Sequence, residues 1–154
     1  MMKLCSDVLE ALSGKTLVTA ESLTGGGIGA ALTAVPGSSA VYKGGIISYT
    51  NWVKENVLGV SHETLEVHGA VSCQTAEEMA AGVRKLLCAD VAVSVTGLAG
   101  PGGDEFGNPV GTVCIGLCNR WESFAVKYHF DGDREQVRRQ TIQTALELVL
   151  DNNQ

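Results

Sequence analysis

Three short segments of the sequence place hydroxyl groups and glycines directly after a predicted β-strand. They are AESLTGGG at residues 20–27, SYTNWVK at residues 48–54 and VTGLAGPGG at residues 95–103. In an open α/β sheet, ligands bind beyond the carboxyl ends of the strands, where such junctions meet. Each junction alone would be explained by a tight turn and a Ser or Thr helix cap. The three together predict a functional site.

Ser22 and Lys54 have the chemistry needed to hydrolyse an amide bond. That reaction needs a nucleophile, a base that takes its proton, donors for the oxyanion and an acid for the leaving nitrogen. Ser22 supplies a hydroxyl, and because no His lies near these junctions, Lys54 is the candidate base. A lysine acts as a base only where desolvation or a neighbouring positive charge lowers its pKa.

Tyr49, at the end of the second strand, is placed to relay the proton or to orient the base. The simpler interpretation makes Lys54 an exposed helix lysine and Tyr49 a strand residue with a hydrated hydroxyl. Position along the chain does not separate these two interpretations, so both stay open at this point.

The first junction also opens a predicted helix, and the free N–H groups of a helix N-terminus attract anions. We expect the main chain of Thr24, Gly25 and Gly26 to form an oxyanion hole or a phosphate cradle. Glycine suits this use because a substrate can approach its backbone closely.

Three known motifs fit this region less well. SGKT at residues 13–16 lacks the P-loop glycine and precedes a strand instead of following one. The G-x-G-x-x-A pattern of residues 25–30 has no acidic residue after the second strand to hold a ribose. Ser22 lacks the flanking glycines of an esterase nucleophile elbow.

The elements that must position these residues alternate between strand and helix along the chain. Apolar periodicity predicts helices over residues 3–12, about 27–35, 74–87 and 134–150, and strands over 15–20, 42–50, 90–97, 110–118 and 122–130. Asn51 and Asp133 are predicted to cap helices, and residues 61–72 to form a loop with one helical turn. The helix over 74–87 is expected to bury Met79, Val83, Leu86 and Leu87.

This alternation predicts an α/β fold with one domain over residues 1–154, built as three α/β/α layers around a mixed, mostly parallel sheet. The last two strands are joined by a short turn and are therefore expected to be antiparallel. The last helix is expected to bury Val137, Ile142, Leu146 and residues 148–150.

Composition excludes several functional classes. A net charge of −6 and a pI near 5.0 argue against sequence-independent nucleic-acid binding. The five cysteines contain no C-x-x-C pair, which indicates reduced thiols and no metal site. No secretory signal is recognisable and no apolar run approaches the roughly 20 residues of a membrane helix, so a cytoplasmic protein without membrane contact is expected.

Six ordered segments resemble the CinA C-terminal domain family, which includes the stand-alone nicotinamide mononucleotide deamidases of the PncC type. They are AESLTGG, SYTNWVK, HGAVS, VTGLAGPGG, NPVGTV and GDREQVRRQ, and the likeness runs from about residue 15 to residue 148. The sequence departs from the family at Leu23, where a Cys is usual, and at Gly27, where a larger residue is common.

The resemblance implies an amidohydrolase that converts nicotinamide mononucleotide to nicotinate mononucleotide and ammonia in pyridine nucleotide recycling, without a metal or another cofactor. It also implies a Ser–Lys dyad. On this basis Ser22 is the expected nucleophile, Lys54 the base and Tyr49 its helper.

The resemblance further implies that Thr96 and the adjacent Gly97 belong to the substrate site, and that Arg134 or Arg138 binds the acidic substrate. A homodimer is expected, and the pyrophosphatase activity of the large N-terminal domain of full-length CinA proteins is not. Two alternatives remain open at this stage. One is a nucleotide-binding module without catalysis, and the other is a partner in a DNA-uptake assembly.

Overall fold

One five-stranded sheet is the framework of the protein, and the computed structural model describes residues 1–154. The strands are β1 (Leu17–Glu21), β2 (Tyr42–Ile47), β3 (Val91–Gly97), β4 (Thr112–Cys118) and β5 (Ser123–His129). They lie in the order β2-β1-β3-β4-β5. β1 is parallel to both β2 and β3, whereas β4 is antiparallel to β3 and β5. Only β4 therefore runs against the other strands, which confirms the mixed, mostly parallel sheet.

Helices cover both faces of this sheet. They are α1 (Met2–Ala11), α2 (Gly27–Thr33), α3 (Asn51–Asn56), α4 (His62–His68), α5 (Cys73–Leu86) and α6 (Arg134–Asp151), with a short 3-10 helix at Ser38–Ala40. α1, α2 and α6 pack together on one face, and α5 packs with α4 on the other. One apolar cluster lies beneath each set of helices, which gives the predicted three-layer α/β/α architecture.

The central strands are buried on both faces, as their continuous apolar sequences predict. All five residues of β1 and the first six of β3 are buried. The edge strand β2 alternates between partly buried and exposed residues, and β5 contains both kinds without regular alternation. The predicted cap of α6 is present. The Asp133 side chain accepts from the Gln136 N–H at 2.9 Å, and the Gln136 side-chain oxygen accepts from the Asp133 N–H.

Two local predictions are wrong. Thr50, not Asn51, caps α3 by accepting from the Val53 N–H, and Asn51 is the first residue of the helix. Leu86, in the last turn of α5, is 49% exposed instead of buried, while Met79 and Val83 are buried as expected. None of the helices has the length and apolar character that crossing a membrane requires.

Candidate active site

A cavity of about 540 Å³ opens at the carboxyl ends of the parallel strands. The segments after β1, β2 and β3 all contribute to its wall, together with the segment before α5 and the first residue of α6. The three hydroxyl-bearing junctions of the sequence therefore meet at one place. Their lining residues include Ser22, Leu23, Tyr49, Lys54, Thr96, Gly97, Phe106 and Arg134.

Ser22 and Lys54 are in hydrogen-bond contact in the wall of this cavity. The Nζ of Lys54 donates to the Oγ of Ser22 at 3.0 Å. Both residues are buried, with exposed fractions of 6% for Ser22 and 2% for Lys54. The exposed-lysine interpretation of Lys54 is therefore wrong.

The β1 and β2 junctions are tied together by main-chain hydrogen bonds. The N–H of Ser48 donates to the Glu21 carbonyl at 2.8 Å, and the N–H of Ser22 donates to the Val95 carbonyl at 3.0 Å. Lys54 lies one helical turn after Thr50, which caps α3. This turn carries the amine back over the end of β1, where Ser22 stands.

Burial changes the acid–base chemistry of Lys54. Loss of solvent around the ammonium group lowers the pKa of Lys54 from 10.5 to about 8. The Nζ donates to the carbonyl oxygens of Ser48 at 2.9 Å and of Tyr49 at 3.3 Å. With Ser22 Oγ, these carbonyls give the three acceptors that an ammonium group needs. Once Lys54 is neutral, its two N–H bonds can remain on the carbonyls, and the lone pair then takes the direction of the Ser22 hydroxyl.

Tyr49 contributes to the site mainly through its main chain. Its carbonyl oxygen accepts from Lys54, and its side chain is 58% exposed. The Tyr49 hydroxyl accepts from Arg134 Nη2 at 3.3 Å at the rim of the cavity. The structure thus places the hydroxyl beside Arg134 and gives it no hydrogen bond to Ser22 or Lys54.

A buried carboxylate occupies the N-terminus of α2. Glu21 Oε1 accepts from the Ile28 N–H at 2.8 Å and from the Thr24 hydroxyl at 2.6 Å, and Oε2 accepts from the Gly29 N–H at 3.1 Å. Glu21 is only 2% exposed. The protein itself therefore fills the anion position that the sequence suggested for a substrate phosphate.

Thr24, Gly25 and Gly26 are not among the residues that line the cavity. Gly25 and Gly26 adopt positive φ angles of 59° and 102°, which glycine tolerates, and so turn the chain from β1 into α2. Leu23, the residue after Ser22, does line the cavity. Its main-chain N–H makes no hydrogen bond within the protein.

The two candidate arginines occupy different places. Arg138 lies outside the cavity, and it donates from Nε to the Leu23 carbonyl at 2.9 Å and from Nη2 to the Thr24 carbonyl at 3.3 Å. Arg134 lies on the cavity wall, and its Nη1 donates to the Gly100 carbonyl at 2.7 Å. Arg138 thus supports the loop that carries Ser22, whereas Arg134 faces the space a substrate would fill.

Thr96 and Gly97 end β3 at the floor of the cavity. The buried Thr96 hydroxyl donates to the Ala70 carbonyl at 2.8 Å, which links β3 to the segment before α5. A Cβ on Gly97 would lie 2.8 Å from the Thr112 carbonyl oxygen, so only glycine fits against β4 there. No group of three or more His, Cys, Asp or Glu side chains is arranged to hold a metal ion.

The sequence predicted no role for the Glu21 carboxylate, for the Leu23 main-chain N–H or for Phe106. Glu21 reads as one more residue of a strand, and because β1 is buried on both faces, alternation does not reveal where its side chain points. The Leu23 N–H becomes significant only once Ser22 is placed in the wall. Phe106 lies in the long glycine-rich loop, where the sequence has no periodicity that would orient a side chain.

Comparison with known proteins identifies relatives over the whole domain. The family model described as the CinA C-terminal domain matches residues 1–152. A CinA-like protein of Endomicrobium trichonymphae is 47% identical over 135 residues, which is 88% of this chain and 32% of that protein. The chain thus spans about a third of the length of the curated relatives that it matches.

Solved structures show the same fold. The competence-damaged protein (CinA) superfamily protein from Klebsiella pneumoniae 700603 superposes with a TM-score of 0.95 at 38% identity, covering 98% of this chain and 96% of that chain. The competence/damage inducible protein CihA from Agrobacterium tumefaciens superposes with a TM-score of 0.94 at 41% identity, covering 99% and 95%.

Proposed function

The chain belongs to the CinA C-terminal domain family, and we propose that it is an amidohydrolase that deamidates nicotinamide mononucleotide to nicotinate mononucleotide and ammonia. The observation that carries this proposal is the contact between the buried Lys54 amine and the Ser22 hydroxyl at 3.0 Å in a cavity wall. A nucleophile and a base in hydrogen-bond contact are the minimum that amide hydrolysis through a covalent intermediate requires.

In the first step, the neutral Lys54 amine takes the proton of the Ser22 hydroxyl as Oγ attacks the carboxamide carbon. With a pKa of about 8, about one Lys54 in ten is neutral at pH 7. The carbonyls of Ser48 and Tyr49 hold the amine in place, so its lone pair is aimed before the substrate arrives.

The attack turns the carboxamide oxygen into an oxyanion. The Leu23 N–H is the proposed donor to it, because it belongs to the residue after the nucleophile and is unused within the protein. The sequence predicted oxyanion donors at Thr24, Gly25 and Gly26, and the proposed donor is instead Leu23, which belongs to the part of the loop that lines the cavity.

Collapse of the tetrahedral intermediate breaks the carbon–nitrogen bond. The Lys54 ammonium returns its proton to the departing amine, which leaves as ammonia, and an ester remains on Ser22. A water molecule then gives its proton to Lys54 and attacks the ester, and Ser22 leaves with that proton. The net reaction consumes one water per amide and regenerates both residues.

Arg134 is the proposed partner of the substrate phosphate. It is the arginine on the cavity wall, and its contacts with Gly100 and Tyr49 hold the guanidinium at the rim. Guanidinium groups bind phosphate strongly because charge and geometry both match. We propose that Thr96 and Gly97 shape the floor beneath the substrate.

The direct test is ammonia release by the purified chain incubated with nicotinamide mononucleotide. Nicotinamide, nicotinamide riboside and the oxidised dinucleotide serve as substrate controls. Ser22→Ala should abolish release, and Ser123→Ala is its matched control, because Ser123 is exposed in β5 and far along the sheet from the cavity.

Two outcomes would overturn the proposal. One is full activity of Ser22→Ala. The other is that nicotinamide mononucleotide raises the melting temperature of the protein but is recovered unchanged. That result would favour a binding module without catalysis.

A further inference from the structure

Phe106 presents part of an aromatic ring to the candidate active-site cavity. The side chain is 42% exposed, although it is large and apolar, and the residue belongs to the cavity wall. One side of the ring packs against Gly69, because a Cβ at that glycine would lie 2.6 Å from Cδ2 and 2.7 Å from Cε2. The backbone at Gly69 thus packs directly against the ring.

The loop that carries Phe106 is held by its own hydrogen bonds. Asp104 Oδ1 accepts from the N–H groups of Phe106 at 3.1 Å and of Asn108 at 2.9 Å. The Asn108 side-chain amide donates to Asp104 Oδ2 at 2.7 Å and to the Val71 carbonyl at 3.3 Å. These bonds fix the loop to the segment before α5, so the ring is positioned before any ligand binds.

The charges of the cavity are unevenly distributed. Lys54 lies in α3 and Arg134 is the first residue of α6, whereas Asp104 and Glu105 directly precede Phe106 on its loop. The Glu105 carboxylate is exposed and makes no hydrogen bond or ion pair within the protein. A positively charged ring is attracted by both an aromatic face and a nearby carboxylate.

We propose that Phe106 is a specificity-determining residue that stacks on the cationic pyridinium ring of the substrate, with Glu105 adding charge complementarity. This inference rests on the proposed function for the identity of the ligand. It restricts the substrate class to carboxamides on a positively charged aromatic ring. The positive charge of the pyridinium ring does not change while the amide reacts. Stacking on Phe106 is therefore equally strong in the ground state and the transition state, so Phe106 contributes to binding and not to the chemical step.

The test compares two ligands that differ in ring charge. Nicotinamide mononucleotide has a cationic ring, and its reduced 1,4-dihydro form has a neutral ring with the same carboxamide, ribose and phosphate. Dissociation constants are measured by calorimetry in the Ser22→Ala background, where turnover is blocked. Phe106→Leu removes the aromatic face and keeps apolar volume, and Phe106→Tyr is the control that keeps the face.

Phe106→Leu should weaken binding of the oxidised nucleotide roughly fivefold and leave binding of the reduced form nearly unchanged. Phe106→Tyr should bind both as the parent does, and Glu105→Gln should weaken only the oxidised form. Equal losses for both ligands, or no loss for either, would overturn the inference. A thermal melt of each variant confirms that the fold is intact.

This experiment separates the inference from the proposed function. If the wild-type chain releases no ammonia but Phe106→Leu selectively weakens binding of the oxidised nucleotide, the proposed deamidase function is contradicted and the ring-binding role of Phe106 is supported. If ammonia is released and the leucine variant binds both ligands like the parent, the function stands and the role of Phe106 fails.

Discussion

Burial of the Lys54 ammonium group destabilises the folded protein at neutral pH. The pKa of Lys54 falls from 10.5 to about 8 on folding, so the folded state binds fewer protons than the unfolded state between these values. Stability therefore rises with pH across this window, and the full cost of about 3 kcal/mol is present below pH 8. A residue kept at such a cost fits a chemical role better than a structural one.

Lys54→Met should lose this dependence on pH. We expect the free energy of unfolding of the wild type, relative to the variant, to rise by up to about 3 kcal/mol between pH 8 and pH 10.5. Urea unfolding at several pH values measures the difference, and Lys85→Met, at an exposed position on α5, should follow the wild type. Parallel curves for the wild type and Lys54→Met would show that Lys54 is not desolvated.

Arg134 and Arg138 should differ in what they do for binding. In the Ser22→Ala background, Arg134→Gln should raise the dissociation constant of nicotinamide mononucleotide roughly tenfold. Binding of the riboside, which has no phosphate, should be almost unaffected. Arg139→Gln is the matched control, since Arg139 is exposed on α6 and pairs only with Glu135. An equal loss of affinity for nucleotide and riboside would contradict phosphate binding. It would show that Arg134 acts by holding the cavity rim in place through its hydrogen bonds to Tyr49 and Gly100.

At the scale of elements, the junction between β1 and α2 depends on Glu21. Its carboxylate accepts from two N–H groups at the start of α2 and from the hydroxyl of Thr24, two residues after Ser22. This arrangement uses the positive end of the helix to hold an internal anion, and it fixes the loop that carries Ser22.

Glu21→Gln should destabilise the protein by about 1–3 kcal/mol, because the amide nitrogen cannot accept from a buried N–H or hydroxyl. Ammonia release should also fall, since the Ser22 loop loses its anchor. Urea unfolding gives the stability, with Glu10→Gln on the exposed side of α1 as the control. Unfolding curves of Glu21→Gln that match those of the control would contradict this account of the junction.

The sequence was sufficient to predict which elements form and where their active ends meet. Continuous apolar runs identified β1 and β3, and hydroxyl-rich junctions after the parallel strands identified the cavity that the structure contains. The sequence did not allow us to predict where individual side chains point. Thr50 caps α3 although Asn51 also suits that use, and the Tyr49 hydroxyl points to Arg134, which is 85 residues away in the chain.

At the scale of the whole molecule, one sheet connects two apolar clusters, and the cavity lies across its end. The larger cluster joins α1, α2 and α6 to the sheet, and the second joins α5 to the opposite face. Because β1 and β3 contribute side chains to both clusters, neither set of helices can detach without exposing the strands that carry the site.

The chain is therefore expected to unfold in one cooperative transition. Differential scanning calorimetry should give a calorimetric enthalpy equal to the van't Hoff enthalpy, as for other small single domains. Two resolved transitions, or a calorimetric enthalpy well above the van't Hoff value, would indicate that the two faces of the sheet unfold independently.

Ser22 and Lys54 are proposed to act as one catalytic unit, and a double-mutant comparison of ammonia release is the sharpest test of that role. Ser22→Ala, Lys54→Met and the double variant should all fall by a similar factor, at least about a thousandfold, because removal of either partner disables the other. A double variant that loses the product of the two single effects, or a single variant that keeps the wild-type rate, would contradict the account.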